Sequence, residues 1–315
     1  MSDMSRSGSN SRTVLLSGAS GMLGSAIGSA LRQRGVKLIR LVRRAAQGPD
    51  EVCWNPTEEG TRGNVIEIAR LEGIDAAVHL SGANVASRRW TEKYKREIAE
   101  SRVTTTRVLA KSLARLKNPP AALVAASAVG FYGNRGDEVL DEDSAAGQGY
   151  FPELCKAWEE AARPAVEAGI RVMHLRFGMV LGPDGGALAR LTPLFRLGLG
   201  GKLGNGRQWM SWVSEADAVA AVLFALENPA LSGPVNVVSP EPVTNAEFTQ
   251  ALGQAVHRPT LVTAPAFALR LAFGEMADEA LLASTRAVPK RLLETGFRFR
   301  HPKLAGAFEA ALTRS

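Results

Sequence analysis

The sequence predicts an α/β protein built on a doubly wound parallel sheet. Short apolar runs alternate with amphipathic helical stretches along most of its 315 residues. The runs are apolar on both faces, as strands covered by helices on both sides must be. The first of them leads through a glycine-rich turn straight into a helix, the local order that opens a parallel βαβ unit. Taken from the N-terminus, residues 1–12 are polar, lack an apolar stretch and read as a flexible tail. Strands are expected at 13–17, 37–42, 76–81, 121–127 and 172–177, with helices at 22–34, 91–117 and 152–168. Together these make a first domain over 13–181. Beyond it, Gly182-Pro-Asp-Gly-Gly186 breaks the alternation, and 198–207 is a long glycine-rich loop of the kind that carries function. A helix at 215–227 and a strand at 235–239 are expected to rejoin the sheet, whereas 245–257, 264–273 and 276–293 read as helical. Residues 182–315 are therefore expected to form a smaller, mainly helical lid over the first domain, with a distinct C-terminal segment from about 245.

Composition narrows the partners. A net charge of +7, with 45% hydrophobic and 22% charged residues, belongs to a globular protein that favours anionic ligands such as nucleotides. Lysines and arginines are scattered rather than striped among aromatics, so nucleic acid is not an expected partner. The chain contains no run of eighteen apolar residues, so no membrane span is expected either. Two cysteines, Cys53 and Cys155, give no disulfide framework and point to a cytoplasmic location. The four histidines show no metal-ligand spacing, so no metal site is expected. A small-molecule substrate is the expected partner.

The turn after the first strand carries the strongest chemistry. Gly18-Ala-Ser-Gly21-Met-Leu-Gly24 is a GxxGxxG motif in strand–turn–helix context. Glycines at this spacing let the backbone turn tightly and approach a pyrophosphate, whose charge the helix N-terminus stabilises. Gly18, Ser20, Gly21, Met22, Leu23 and Gly24 are therefore candidate dinucleotide-binding residues, in an NAD(P)-binding Rossmann fold. The second strand indicates which dinucleotide. An NAD-selective site places Asp or Glu near its end to accept the ribose hydroxyls. Here Val42 stands there, followed by Arg43 and Arg44. A guanidinium offers a planar fork of donors suited to phosphate, so the 2′-phosphate of NADP is the expected partner of these arginines. By their place at the end of the 76–81 strand, Leu80, Ser81, Gly82 and Ala83 are expected to line the pyrophosphate side through their backbones.

Further stretches carry a resemblance. They are His79-Leu-Ser-Gly-Ala-Asn84, Arg89-Trp90, Ser101-Arg102-Val103, Ser127-Ala-Val-Gly-Phe-Tyr-Gly133 and Cys155-Lys-Ala-Trp-Glu159. Later come Arg176-Phe-Gly-Met-Val-Leu-Gly182, Gly206-Arg-Gln-Trp-Met-Ser-Trp212 and Pro289-Lys-Arg-Leu-Leu293 with Gly296-Phe297. From residue 13 onward the chain resembles the extended short-chain dehydrogenases/reductases of the NAD(P)-dependent epimerase/dehydratase superfamily. Within them it is similar to the atypical "epimerase family protein" branch, sometimes labelled cell division inhibitor SulA.

The resemblance implies hydride chemistry assisted by a Tyr-x-x-x-Lys pair and a serine. The lysine lowers the tyrosine pKa so that its hydroxyl exchanges a proton with the substrate oxygen. Ser127 matches the serine motif, in a register that also admits Ala128. Lys156 matches the lysine, which in the family also binds the nicotinamide ribose. The tyrosine position holds Pro152, which has no titratable group. Tyr150, just before the expected helix start, and Tyr132 are the candidate replacement acids, or else aromatic packing beside the glycines. In the lid, Arg207, Gln208 and Trp209, with Trp212 nearby, suit an anionic or ring-bearing substrate or else a packed domain junction. Trp90 and Arg102 face the same two alternatives. Two functions follow. One is an NADP-dependent oxidoreductase or epimerase-like enzyme acting on a hydroxyl or carbonyl of a small polar, nucleotide-linked or free substrate. The other is a catalytically silent NADP-binding sensor or scaffold.

Overall fold

The computed structural model describes residues 12–56, 66–183 and 185–313. Residues 1–11 of the expected tail and Asp184 of the expected break lie outside them. The central sheet has seven strands: β1 (Thr13–Ser17), β2 (Lys37–Val42), β3 (Glu51–Cys53), β4 (Ala76–His79), β5 (Ala122–Ala128), β6 (Arg171–Phe177) and β7 (Gly233–Val237). Their spatial order is β3-β2-β1-β4-β5-β6-β7, and every neighbouring pair is parallel. The chain leaves β1 toward β2 and β3, then crosses back to β4 on the other side. That reversal opens a crevice over the carboxyl ends of β1 and β4.

Apolar alternation along each strand builds two cores. Val14, Leu16, Val78, Val124 and Leu175 point to one face, and Leu15, Ala77, Leu123, Ala125 and Val172 to the other. The first face is covered by α1 (Met22–Gln33), through Ile27 and Leu31, and by α5 (Glu215–Glu227), through Ala218, Ala221 and Val222. The second is covered by α2 (Glu92–Ala114), through Val108, Leu109 and Leu113, and by α4 (Arg163–Glu167). α5 and β7 do return to the sheet across the expected boundary at 182. A third core, around Trp212, Phe248 and Phe308, holds the lid together. None of the described helices is long and apolar enough to cross a membrane.

Several local expectations change. β3 is too short to be read from its residues. The helix expected at 152–168 is two helices, α3 (Tyr150–Glu160) and α4, because Pro164 has no N–H to continue the first. The stretch 276–293 contains a π-turn at Ala277–Leu281, a strand at Arg286–Ala287 paired with Val139–Leu140, and a short helix after Pro289. The glycine-rich stretch 198–207 is not all loop, since Gly201–Leu203 pairs in parallel with Val262–Ala264.

Candidate functional site

The glycine motif separates into two roles. Gly18 has φ +71°, and a Cβ on it would stand 2.8 Å from the Leu80 carbonyl, so it brings the ends of β1 and β4 together. A Cβ on Gly24 would run into the Gly18 carbonyl oxygen, so Gly24 allows α1 to pack on the turn. Gly21 differs. It is exposed, extended at φ −75° and ψ 164°, and a Cβ there would meet just the Gly18 oxygen at 3.4 Å. The fold itself makes no demand for a glycine at 21. It caps α1 without any side-chain hydrogen bond, and Ser20 beside it is exposed. The first-turn N–H groups of this twelve-residue helix therefore receive no side-chain cap. Met22 lays its sulfur across Gly182, and Leu23 packs on the sheet core.

Beneath this turn lies a buried tie between the two strands. Ser17 and His79 meet at 2.6 Å (Oγ to Nδ1), and His79 Nε2 lies 3.3 Å from Thr105 Oγ1. Thr105 already donates to the Ser101 carbonyl, so the pattern fits an imidazole protonated on Nε2. Burial lowers the His79 pKa to about 4, keeping it neutral. Past it, Gly82 is exposed, and Ala83 N–H donates to Ser101 Oγ at 2.9 Å.

The two arginines after β2 part company. Arg44 is held by Glu51 through two 2.7 Å bonds, and Arg40 lies 2.9 Å from the same carboxylate. Glu51 is buried, and the Arg44 hydrogen bond leads the causes that pull its pKa to about 2. Arg43 is exposed and makes no hydrogen bond or ion pair with the described residues. Of the two, Arg43 is the fork left open to a ligand, and Arg44 is a structural partner.

The residues expected to do chemistry are engaged elsewhere. Ser127 is buried and donates to Glu159 Oε1 at 2.7 Å. Glu159 is gripped by Arg176 at 2.8 Å on each oxygen, Arg176 Nη1 donates to the Tyr132 hydroxyl, and Tyr132 donates to Asn236 Oδ1 at 2.8 Å. This chain of bonds ties β5, α3, β6 and β7 and turns Ser127 inward, with Ala128 on the opposite face. Burial pushes Tyr132 up to about 12, so it holds its proton. Tyr150 is the first residue of α3 rather than a residue ahead of it. Its hydroxyl donates to the Lys95 carbonyl at 2.8 Å, its ring packs 5.0 Å from Trp90, and burial raises its pKa to about 12. Lys156 lies on the exposed side of α3, paired with Glu153 at 2.5 Å. Pro152 is buried, filling space beside Gly133.

The lid residues are mostly structural. Gln208 is buried and donates to the Leu203 and Leu281 carbonyls. Trp209 donates to Asp137 at 2.8 Å and lies under Arg286. Trp212 is fully buried in the lid core, and Trp90 donates to the Val85 carbonyl, so both pack. Arg207 is exposed, its guanidinium without a partner among the described residues. Glu279 was not visible as a functional residue. It accepts the N–H groups of Tyr150 and Phe151 at 3.2 Å, capping α3 in place of the side chain that Gly149 lacks. Among the described residues, no group of His, Cys, Asp and Glu is arranged to hold a metal.

Comparison with known proteins places this geometry. Residues 14–238 match the model of the NAD dependent epimerase/dehydratase family, and residues 264–311 match a domain of unknown function, DUF1731. An epimerase family protein of Mycobacterium bovis is 48% identical over 301 residues, covering 96% of this chain and 98% of its own. The crystal structure of human epimerase family protein SDR39U1 with NADPH superposes with a TM-score of 0.86 at 33% identity, covering 96% of this chain and 100% of the human one. A nucleoside-diphosphate sugar epimerase from Corynebacterium glutamicum gives 0.79 at 33% identity, over 97% of this chain and 59% of that protein.

Proposed function

This chain belongs to the NAD dependent epimerase/dehydratase family, and on that premise we propose that it binds NADP(H) and exchanges hydride with a carbonyl or hydroxyl of a small polar substrate. The observation that carries the reading is the bare N-terminus of α1, with Gly21 kept free of a side chain that the fold would accept. Such a cradle fits a pyrophosphate laid on the first-turn N–H groups. Gly18, Ser20, Gly21, Met22 and Leu23 would hold it, with Leu80 to Ala83 along the opposite wall. Arg43 would take the 2′-phosphate, in keeping with the NADPH in the human relative's structure. When bound, the cofactor supplies or accepts the hydride at its nicotinamide.

The chain's own residues set the proton chemistry apart from the family pattern. Pro152 removes the usual phenol, and Ser127, Tyr132 and Tyr150 all donate to protein acceptors. Those engagements favour a second reading, in which the chain binds NADPH as a silent sensor or scaffold. Both readings share the cofactor site and separate on turnover. A fluorescence titration should give NADPH at least about tenfold tighter binding than NADH, about 1.4 kcal/mol, and Arg43→Ala should erase most of that gap. Equal affinities in the unmutated protein would sink the assignment of Arg43. A panel of ketones, aldehydes and sugar nucleotides then decides the rest: turnover supports the oxidoreductase, and NADPH binding without any turnover supports the sensor.

A further inference from the structure

On α2, Arg102 lies against Gly82 and Trp158, and no carboxylate bonds to it. The Arg102 guanidinium lies 5.1 Å over the Trp158 ring and so close beneath Gly82 that a Cβ there would stand 3.2 Å from its Cζ. Nη1 donates to the Ile98 carbonyl at 3.2 Å and lies 3.5 Å from Ser101 Oγ. Nε and Nη2 bond to none of the described residues. No fully buried polar side-chain atom among those residues lacks a partner, so these two nitrogens keep some exposure. Cys155 and Tyr150, whose pKa values burial raises, are the groups beside the guanidinium. Burial lowers its pKa. Arg176, by contrast, meets both oxygens of Glu159.

An uncompensated guanidinium is expensive to bury, and a protein that keeps one commonly has an anion to meet it. The position says where that anion comes from. Gly82 follows β4, on the crevice at the switch point, and is itself exposed. Tyr150 and Cys155 bracket Pro152, the position from which the family's phenol is missing. We infer that Arg102 receives an oxyanion of the substrate, a carboxylate or a phosphate, in the part of the crevice between Gly82 and α3. A planar fork with two unused donors suits such a group. This inference rests on the reading of the crevice as an NADP(H) site, and it narrows the substrate to one that is anionic next to its reacting end.

The test uses the full chain saturated with NADPH and titrated calorimetrically with oxalate and, separately, with inorganic phosphate. Wild-type protein should bind at least one of them; preference for oxalate marks a carboxylate site and preference for phosphate a phosphate site. Arg102→Gln should weaken that binding by about tenfold or more, and Arg102→Lys, which keeps the charge but not the fork, by less. NADPH affinity should stay within about threefold in both variants. Arg102→Lys carries the comparison if the glutamine variant unfolds, since it must still bind the anion more weakly than wild type. Three results overturn the inference: no binding of either anion to the NADPH complex, equal anion affinity in the variants, or a comparable loss of NADPH affinity, which would give the guanidinium to the cofactor. Failure of NADPH itself to bind wild-type protein would instead overturn the cofactor reading.

Discussion

Replacing Gly21 and Gly24 one at a time separates what the ligand requires from what the fold requires. At position 21 the backbone is extended, in a region open to every residue, and an added Cβ makes ordinary contact with the Gly18 oxygen at 3.4 Å. Gly21→Val should therefore shift folding stability by no more than about 1 kcal/mol, as expected of an exposed site without strain. Its two methyls would nevertheless stand where a pyrophosphate must approach the first-turn N–H groups. Losing two hydrogen bonds to a charged phosphate costs about 3–6 kcal/mol, so NADPH and NADH affinity should both fall by at least about a hundredfold. Gly24→Ala should do the reverse. Its Cβ is driven into the Gly18 carbonyl, and overpacking of this kind costs about 1–3 kcal/mol or more, seen as a thermal midpoint lowered by several degrees. Calorimetric titration with thermal unfolding on the same samples reads both quantities. Unchanged NADPH affinity in Gly21→Val, or a Gly21→Val as unstable as Gly24→Ala, would refute the division of roles.

Other consequences can be measured alongside. Tyr150→Phe, assayed on any substrate found active with NADPH, should keep its turnover within about threefold, because the hydroxyl already donates to the Lys95 carbonyl. A loss of a hundredfold would restore Tyr150 as the acid. Stability should also depend on pH through His79. The folded chain holds it neutral down to about pH 4, whereas the unfolded chain takes up a proton near 6.5. Protons therefore favour unfolding between those values, and stability falls as pH drops from 6.5 to 4, by up to about 3 kcal/mol from this residue. His174, whose pKa burial also lowers, adds a loss of the same sign. Urea unfolding across this range should show a shallower slope for His79→Gln than for wild type; equal slopes would mean that His79 is protonated alike in both states.

What sequence could and could not convey follows from the range of each interaction. The β1 strand, its glycine turn and α1 are contiguous, so periodicity and glycine spacing sufficed to place them. Arg43 and Arg44 are equivalent as text. They diverge because Glu51 arrives from the neighbouring strand, with Arg40 opposite it in register. The choice between Ser127 and Ala128 turns on which face of β5 each occupies. That depends on Arg176, paired with Ser127 across the sheet, and on Glu159 from α3. The break-up of 276–293 has a similar cause, since the partner strand Val139–Leu140 lies far back in the chain. Pro152 was legible at once, but its effect on the site depends on where the remaining hydroxyls donate.

The cap that Glu279 places on α3 reaches beyond local stability. The carboxylate meets N–H groups 129 and 128 positions earlier in the chain, in space left by the absent side chain of Gly149. Met276 joins Trp90, Tyr94, Ile98 and Leu154 in one apolar cluster, and Ala287 joins Tyr132 and Leu140 in another. The segment matched to a domain of unknown function thus completes a helix of the region matched to the epimerase/dehydratase family. The two matched regions cannot be inherited as interchangeable modules: a side chain gained at 149, or a shorter acid at 279, calls for a compensating change in the other. Descent should preserve them as a pair, and a C-terminal segment borrowed from a distant relative would have to bring its own α3 with it.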